Sequence, residues 1–127
     1  MKSLIFIVSI AIFSCSRHNY TFDVAKNSRA FRGYLDTISK YEEGKSAVLV
    51  DSYTEAIFFL SFVTGIDSKA GYSNTIGYAR RQDYENDIKL WKDWYQKNKT
   101  KLSDSYIDSV YKRLGIDPPA TLGIGRK

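Results

Sequence analysis

The chain has 127 residues, 43% of them hydrophobic and 15% aromatic, which is enough apolar material for the core of one ordinary domain. Its formal net charge is +5 at pH 7, and it contains one cysteine, Cys15, and one histidine, His18. A lone cysteine excludes an intramolecular disulfide and leaves too few soft ligands for a zinc site. The single histidine, so close to Cys15, is poorly placed to act as the base of a catalytic triad.

The first fifteen residues have the pattern of an export signal. The opening MKS is followed by a mostly apolar run from Leu4 to Phe13, which is the layout of a secretory signal peptide. The run is too short for a membrane span, which needs roughly 20 apolar residues. The letters IFSC, ending at Cys15, then resemble the lipobox of bacterial lipoproteins. This resemblance implies cleavage before Cys15, a diacylglyceryl group on its sulfur and usually a third acyl chain, although Phe13 departs from the usual residue at its position.

The sequence is therefore divided into a signal peptide at 1–14, a lipidated tether at 15–20, a helical domain at 21–116 and a flexible tail at 117–127. We expect the lipid on Cys15 to attach the protein to a membrane, because two or more acyl chains anchor stably at about 0.8 kcal/mol per buried methylene. No acidic cluster follows Cys15 and no aspartate stands beside it. In a cell with two membranes, this favours the periplasmic face of the outer membrane.

A first helix is predicted over about residues 28–40, with Asn27 or Ser28 as its N-cap. Its apolar stripe has the spacing i, i+3, i+4, i+7 and consists of Phe31, Tyr34, Leu35 and Ile38. Residues 42–45 form a loop. The short patch at residues 47–50 is compatible with a strand, since it is partly β-branched.

A second helix is predicted after a capping box at Ser52 and Glu55, and it ends at Gly65, where a left-handed cap belongs. Two apolar stripes run along this helix, and Phe58 and Phe62 form one of them, so the helix is apolar on nearly all sides. We therefore expect this helix to be buried at the centre of the core.

The segment 65–82 is rich in glycine and its apolar residues have no clear period, which is typical of loops that are functional or mobile. The alternative, which we favour, is that Tyr72, Ile76 and Tyr78 fold back as a plug over the core, since scattered aromatic residues usually pack.

Two further helices are predicted. Asp83 caps the first of them, whose apolar face consists of Tyr84, Ile88, Trp91 and Tyr95. Ser103 caps the last helix and Gly115 ends it, and the two prolines that follow forbid continuation. Its inner face consists of Ile107, Val110, Tyr111 and Leu114. The tail beyond is expected to be loose.

Two stretches are similar to the end of certain bacterial HEAT-like repeat proteins. They are LSFVTG, which closes the second helix at Gly65, and WKDWYQKN, from Trp91 to Asn98. The similarity covers about residues 53–102 and implies a helical scaffold that binds partners by its surface and has no catalytic site, with Trp91, Trp94 and Asn98 structural. No second copy of a repeat is visible, and arrays need about three units. The predicted fold is all-α, a small helical bundle or HEAT-like helical hairpins with about four helices.

Residues 80–101 hold seven basic against four acidic residues, and they supply most of the positive charge. Nucleic acid is one possible ligand of such a segment, but its charges alternate at i,i+4 spacing along Glu85, Lys89, Asp93 and Lys97, which is typical of a solvated helix face. The candidate surface for a protein partner comprises Tyr72, Tyr78, Arg80, Arg81, Lys89 and Lys92.

Catalytic chemistry is not predicted. Asp83, Glu85 and Asp87 are close in sequence, but residues two apart on a helix point apart, and no phosphate-binding loop motif is present. We therefore expect a non-enzymatic, lipid-anchored envelope protein that binds an unknown protein partner, without cofactor, metal or nucleic acid. Two alternatives stay open: an inhibitor or immunity-type protein that blocks a toxin or hydrolase, and a carrier of a small apolar ligand.

Overall fold

The computed structural model describes residues 21–71 and 75–124. In these ranges it contains four α-helices and no strand, so the predicted all-α bundle is confirmed. The helices are α1 (Phe22–Glu42), α2 (Val50–Thr64), α3 (Arg81–Asn98) and α4 (Asp104–Leu114), with short 3-10 helices at Lys99–Lys101 and Ala120–Leu122. The predicted signal peptide, tether and Cys15 lie outside the described residues.

α1 begins earlier than the sequence predicts, at Phe22, with Thr21 as its N-cap. Asn27 and Ser28 are therefore not caps but buried residues inside the helix. The Asn27 side-chain nitrogen donates to the Leu102 carbonyl at 3.0 Å and to an Asp104 carboxylate oxygen at 2.8 Å. A polar side chain mid-helix is tolerated here because a distant part of the chain satisfies its nitrogen, while its Oδ1 atom has no hydrogen-bond partner among the described residues.

The starts of α2 and α3 also differ from the predicted caps. α2 begins at Val50, so residues 47–50 form no strand, and its N-cap is Leu49 rather than Ser52. The N-cap of α3 is Arg80, and Asp83 lies in the first turn. The predicted helix ends are correct, because Gly65 and Gly115 have left-handed φ angles of 71° and 70°. The predicted N-cap of α4 is also correct, because the Ser103 side chain accepts a hydrogen bond from the Tyr106 amide.

The centre of the core is α2, as predicted, although not every apolar residue of this helix is buried. Its fully buried residues are Tyr53, Ala56, Ile57, Phe59 and Leu60. Phe58 is 41% exposed, so α2 is not buried all round as its composition suggests. α1 runs antiparallel to α2, because the Tyr53 hydroxyl at the start of α2 donates to Glu42 at the end of α1, at 2.6 Å.

α3 runs antiparallel to α1. Its first turn contacts the end of α1, where the Tyr84 hydroxyl donates to Glu43 at 3.4 Å. Near its other end Tyr95 stacks on Phe31, with ring centroids 5.1 Å apart. Lys99–Lys101 continue towards the start of α1, since the next residue, Leu102, accepts the bond from Asn27.

The start of α4 is bound to the start of α1. The Asp104 amide donates to Asp23 at 2.9 Å, and the Lys26 ammonium lies 3.0 Å from the Asp104 carboxylate. The hydroxyl of Thr21 and the Asp104 amide both hydrogen-bond Asp23 and lower the pKa of its carboxyl group.

The described part of the tail packs on the helices. The sequence predicts a flexible tail from residue 117, but Leu122 and Ile124 are buried in the core cluster. The Leu122 carbonyl also accepts a hydrogen bond from Lys26 at 3.0 Å. The packed domain therefore extends beyond residue 116, at least to Ile124.

The fully buried ring of Trp91 gives a direct test of this core. We expect Trp91→Ala to lower the free energy of unfolding by about 3 to 5 kcal/mol, because it removes a large buried ring and leaves a cavity. Urea unfolding followed by circular dichroism measures the change, with the exposed neighbour Lys92→Ala as control. Equal unfolding midpoints for the two variants would show that Trp91 is not a core residue.

Candidate functional site

The loop between α2 and α3 folds back on itself. Gly71 and Gly77 form an isolated antiparallel bridge, with backbone N to O distances of 2.7 and 3.1 Å. Gly77 has a φ of 114°, and a Cβ there would lie 3.0 Å from a Glu42 carboxylate oxygen. Only glycine combines this backbone conformation with so close an approach. The bridge holds the loop against the end of α1.

A buried carboxylate, Asp87 of α3, holds the same loop. It is 1% exposed, and its Oδ2 atom accepts three hydrogen bonds. The donors are the Ser68 hydroxyl at 2.9 Å, the Lys69 amide at 2.7 Å and the Tyr78 hydroxyl at 2.8 Å. Three neutral donors on one carboxylate compensate for part of its loss of water.

Sequence reasoning treated Asp87 only as one of several acids on α3. A signal for its burial was present, because Asp87 lies three residues after Tyr84 and four before Trp91, on the apolar stripe of the helix. An acid on such a stripe indicates a partner from elsewhere in the chain. The sequence did not indicate that this partner is the loop before α3.

The aromatic and apolar residues predicted for this loop have different environments in the structure. Tyr78 is half-buried, bonded to Asp87 and packed edge to face on Tyr84 at 5.7 Å, so the predicted plug is confirmed at this residue. Ile76 is 37% exposed and does not cover the core. Tyr72 lies outside the described residues. Tyr78 therefore holds the loop against α3, and its predicted role in partner binding stays a prediction.

The predicted basic residues lie on the outer side of α3 and beside it, where most are paired. Arg80 contacts Asp83 at 2.8 Å, Arg81 contacts Glu85 at 2.8 Å and Lys89 contacts Asp93 at 3.0 Å. Lys92 is exposed. Exposed ion pairs contribute about 0 to 1 kcal/mol, so these side chains can exchange partners at little cost.

Those charges surround a shallow cleft of about 480 Å³ at the first half of α3. It is lined by Arg80, Gln82, Asp83, Glu85, Asn86 and Lys89. The lining mixes cations, acids and amides, which fits a polar protein surface better than a uniformly anionic ligand. We refer to it below as the α3 cleft.

A second cleft, of about 400 Å³, lies between the ends of α2 and α4 and is more apolar. Its lining residues are Ser61, Phe62, Gly65, Asp67, Val110, Arg113 and Leu114. Phe62 packs edge to face on Tyr111 at 5.8 Å and stacks on Phe58 at 5.6 Å. The buried Ser61 hydroxyl has no hydrogen-bond partner among the described residues.

A third depression, of about 350 Å³, lies between α1, α2 and the tail and includes Tyr34 and Thr121. The Tyr34 hydroxyl donates to Glu55 at 2.9 Å and lies 3.2 Å from the Thr121 hydroxyl. Burial raises the pKa of Tyr34 to about 12, so the phenol is neutral at physiological pH. Its visible role is to join α1, α2 and the tail.

Within residues 21–71 and 75–124, no group of three or more His, Cys, Asp and Glu side chains is placed to hold a metal ion. No helix of these ranges is both long and apolar enough to cross a membrane.

No protein-family model matches the chain, and no curated protein or solved structure matches it. The lipobox and HEAT-like resemblances therefore stay predictions. The three residues assigned structural roles by the second resemblance are engaged inside the domain. Trp91 is fully buried, Trp94 stacks on Phe31 at 5.7 Å, and Asn98 donates to the Trp94 carbonyl at 2.9 Å.

The Asp87 network predicts a local effect of mutation. We expect Asp87→Asn to reduce the free energy of unfolding by about 1 to 3 kcal/mol, because hydrogen bonds to a charged acceptor are the stronger kind. Hydrogen exchange at the Lys69 amide should accelerate more than in the core of α2. Glu85→Gln, an exposed change on the same helix, serves as control. Unchanged protection at Lys69 would contradict this role.

Proposed function

We propose that the protein is a lipid-anchored envelope protein of non-enzymatic type, whose helical domain binds a protein partner. The observation that carries the proposal is the position of the only cysteine, Cys15, at the end of an apolar run and shortly before α1. A thiol placed there has a chemical use as an acylation site. It has no use as half of an intramolecular disulfide.

The geometry of the described domain is consistent with attachment at one end. The six residue steps from Cys15 to the N-cap Thr21 reach at most about 21 Å when fully extended. The start of α1 therefore stays near the lipid, on the periplasmic face of the outer membrane in the proposed location. The 21 residues of α1 extend about 31 Å from that end.

The α3 cleft lies at the other end of α1. Tyr78, which precedes it, donates its backbone amide to Glu42 at 3.4 Å, and Glu42 is the last residue of α1. Arg80 and Arg81 therefore lie near the end of α1, away from its start, and Lys89 lies at the middle of α3. This placement supports a partner that approaches from the side away from the membrane, and it favours Arg80, Arg81, Lys89 and Lys92 as its contacts.

Acylation of Cys15 is the first test. We expect Cys15→Ser to abolish incorporation of a clickable fatty acid and to move the protein to the soluble fraction, or to leave an uncleaved precursor. Ser14→Ala, which keeps the cysteine, is the matched control. Equal labelling of the wild type and of Cys15→Ser would refute the proposed anchor.

Partner binding is the second test. A photo-crosslinking amino acid at Lys92 should capture one protein in intact cells, identified by mass spectrometry. The same amino acid at Ser109, exposed on α4, should not capture that protein if contact is made through α3. Identical products from both positions would argue against a specific α3 surface. A captured toxin or hydrolase would instead favour the inhibitor class.

A further inference from the structure

The end of the bundle where the chain enters carries an unusual group of side chains. Phe22, the first residue of α1, is 87% exposed. Lys97 and Lys101 are exposed and Lys99 is half-buried beside them. We name these four residues, Phe22, Lys97, Lys99 and Lys101, the entry-end cluster.

The antiparallel packing of α1 and α3 brings this cluster together. Tyr95 stacks on Phe31, and Leu102, just after the three lysines, accepts a hydrogen bond from Asn27. The chain from 95 to 102 thus runs along the first part of α1 towards its start. The Asp104 amide then reaches Asp23, one residue after Phe22.

The charge of the cluster is not neutralised by the described residues. No acid occurs between Asp93 and Asp104 in sequence. Asp93 is engaged by Lys89 at 3.0 Å and Asp104 by Lys26 at 3.0 Å, while Asp23, next to Phe22, accepts a hydrogen bond from the Asp104 amide at 2.9 Å. None of the three lysines forms a salt bridge to any described residue, whereas most cations of the α3 cleft are paired.

We propose that the entry-end cluster rests on anionic phospholipid headgroups, with the Phe22 ring at the headgroup boundary and the lysines on the phosphates. The inference deepens the proposed lipid anchor and rests on it. After the proposed cleavage the chain begins at Cys15, which a fully extended tether places at most about 21 Å from Thr21, so the anchor brings this end to the bilayer. An exposed ring among unpaired lysines matches a negatively charged, partly apolar surface.

The test uses the full-length lipidated protein in vesicles of equal parts phosphatidylglycerol and phosphatidylcholine. Phe22→Cys introduces the only free thiol, because the single native cysteine, Cys15, is acylated. A fluorophore on this thiol reports contact with a headgroup-attached quencher. Ser46→Cys, exposed in the loop after α1, is the matched control at the far end.

We expect strong quenching at position 22 and little at position 46, which is separated from it by the length of α1, about 31 Å. Lys97→Gln with Lys101→Gln should reduce the quenching at position 22 by about half or more, as should vesicles of phosphatidylcholine alone. The control pair Lys45→Gln and Arg81→Gln removes two cations at the opposite end of the domain and should leave the quenching at position 22 unchanged.

The inference would be overturned if quenching at position 22 were the same with and without the two lysines, and with and without phosphatidylglycerol. That result would show that the tether alone sets the distance between position 22 and the headgroups. Capture of a protein by a crosslinker on the position-22 thiol in cells would also overturn it, since a protein would then cover this end. Flotation of the protein with the vesicles is measured in the same samples. Failure to float refutes the anchor itself, whereas flotation without quenching refutes only the proposed orientation.

Discussion

The ring of Phe31 is the contact on which the arrangement of the helices depends. It is fully buried, and it meets Phe59 of α2 at 6.3 Å and both Trp94 and Tyr95 of α3 at 5.7 and 5.1 Å. One side chain of α1 therefore fixes two other helices at the same level. Because aromatic pairs have preferred offsets and angles, this cluster specifies how the helices sit as well as excluding water. The orientation of α3, and with it the position of the charged side chains on that helix, follows from this contact.

Buried polar groups add the specificity that apolar packing lacks. Asn27 binds the connection between α3 and α4, and Asp87 binds the loop between α2 and α3. Each forms a hydrogen bond with a backbone group of a loop, where no helix or sheet supplies a partner. A shift of either helix by one residue would leave these buried groups unpaired, at a cost larger than the loss of one apolar contact. The loops are therefore held by side chains of the helices, which explains how the described part of the glycine-rich segment stays packed.

Periodicity was sufficient to predict the four helices, the core role of Trp91 and the helix ends at Gly65 and Gly115, because these features depend on neighbouring residues. The errors concern residues whose partners are distant in sequence. Asn27 looks like a cap until Leu102 is placed beside it, and Asp87 looks like a surface acid until the loop folds over it. Phe58 looks buried because its helix is apolar all round, but its side chain is 41% exposed. Leu122 and Ile124 follow two prolines and have no period, so only the structure reveals their burial.

The distribution of paired and unpaired charge distinguishes the two ends of the domain more clearly than the sequence does. Residues 80–101 form one basic segment, yet Arg80, Arg81 and Lys89 form ion pairs on α3, whereas Lys97, Lys99 and Lys101 form none with a described residue. Since α3 is antiparallel to α1, Arg80 and Arg81 lie near Glu42 and the three lysines lie near the start of α1. Paired groups present alternating signs, which suits the selective recognition of a protein surface, whereas unpaired lysines suit a diffuse negative surface. The packing of Trp94 and Tyr95 on Phe31 therefore fixes which end of α3 lies near the start of α1, and with it which charges lie at each end of the domain.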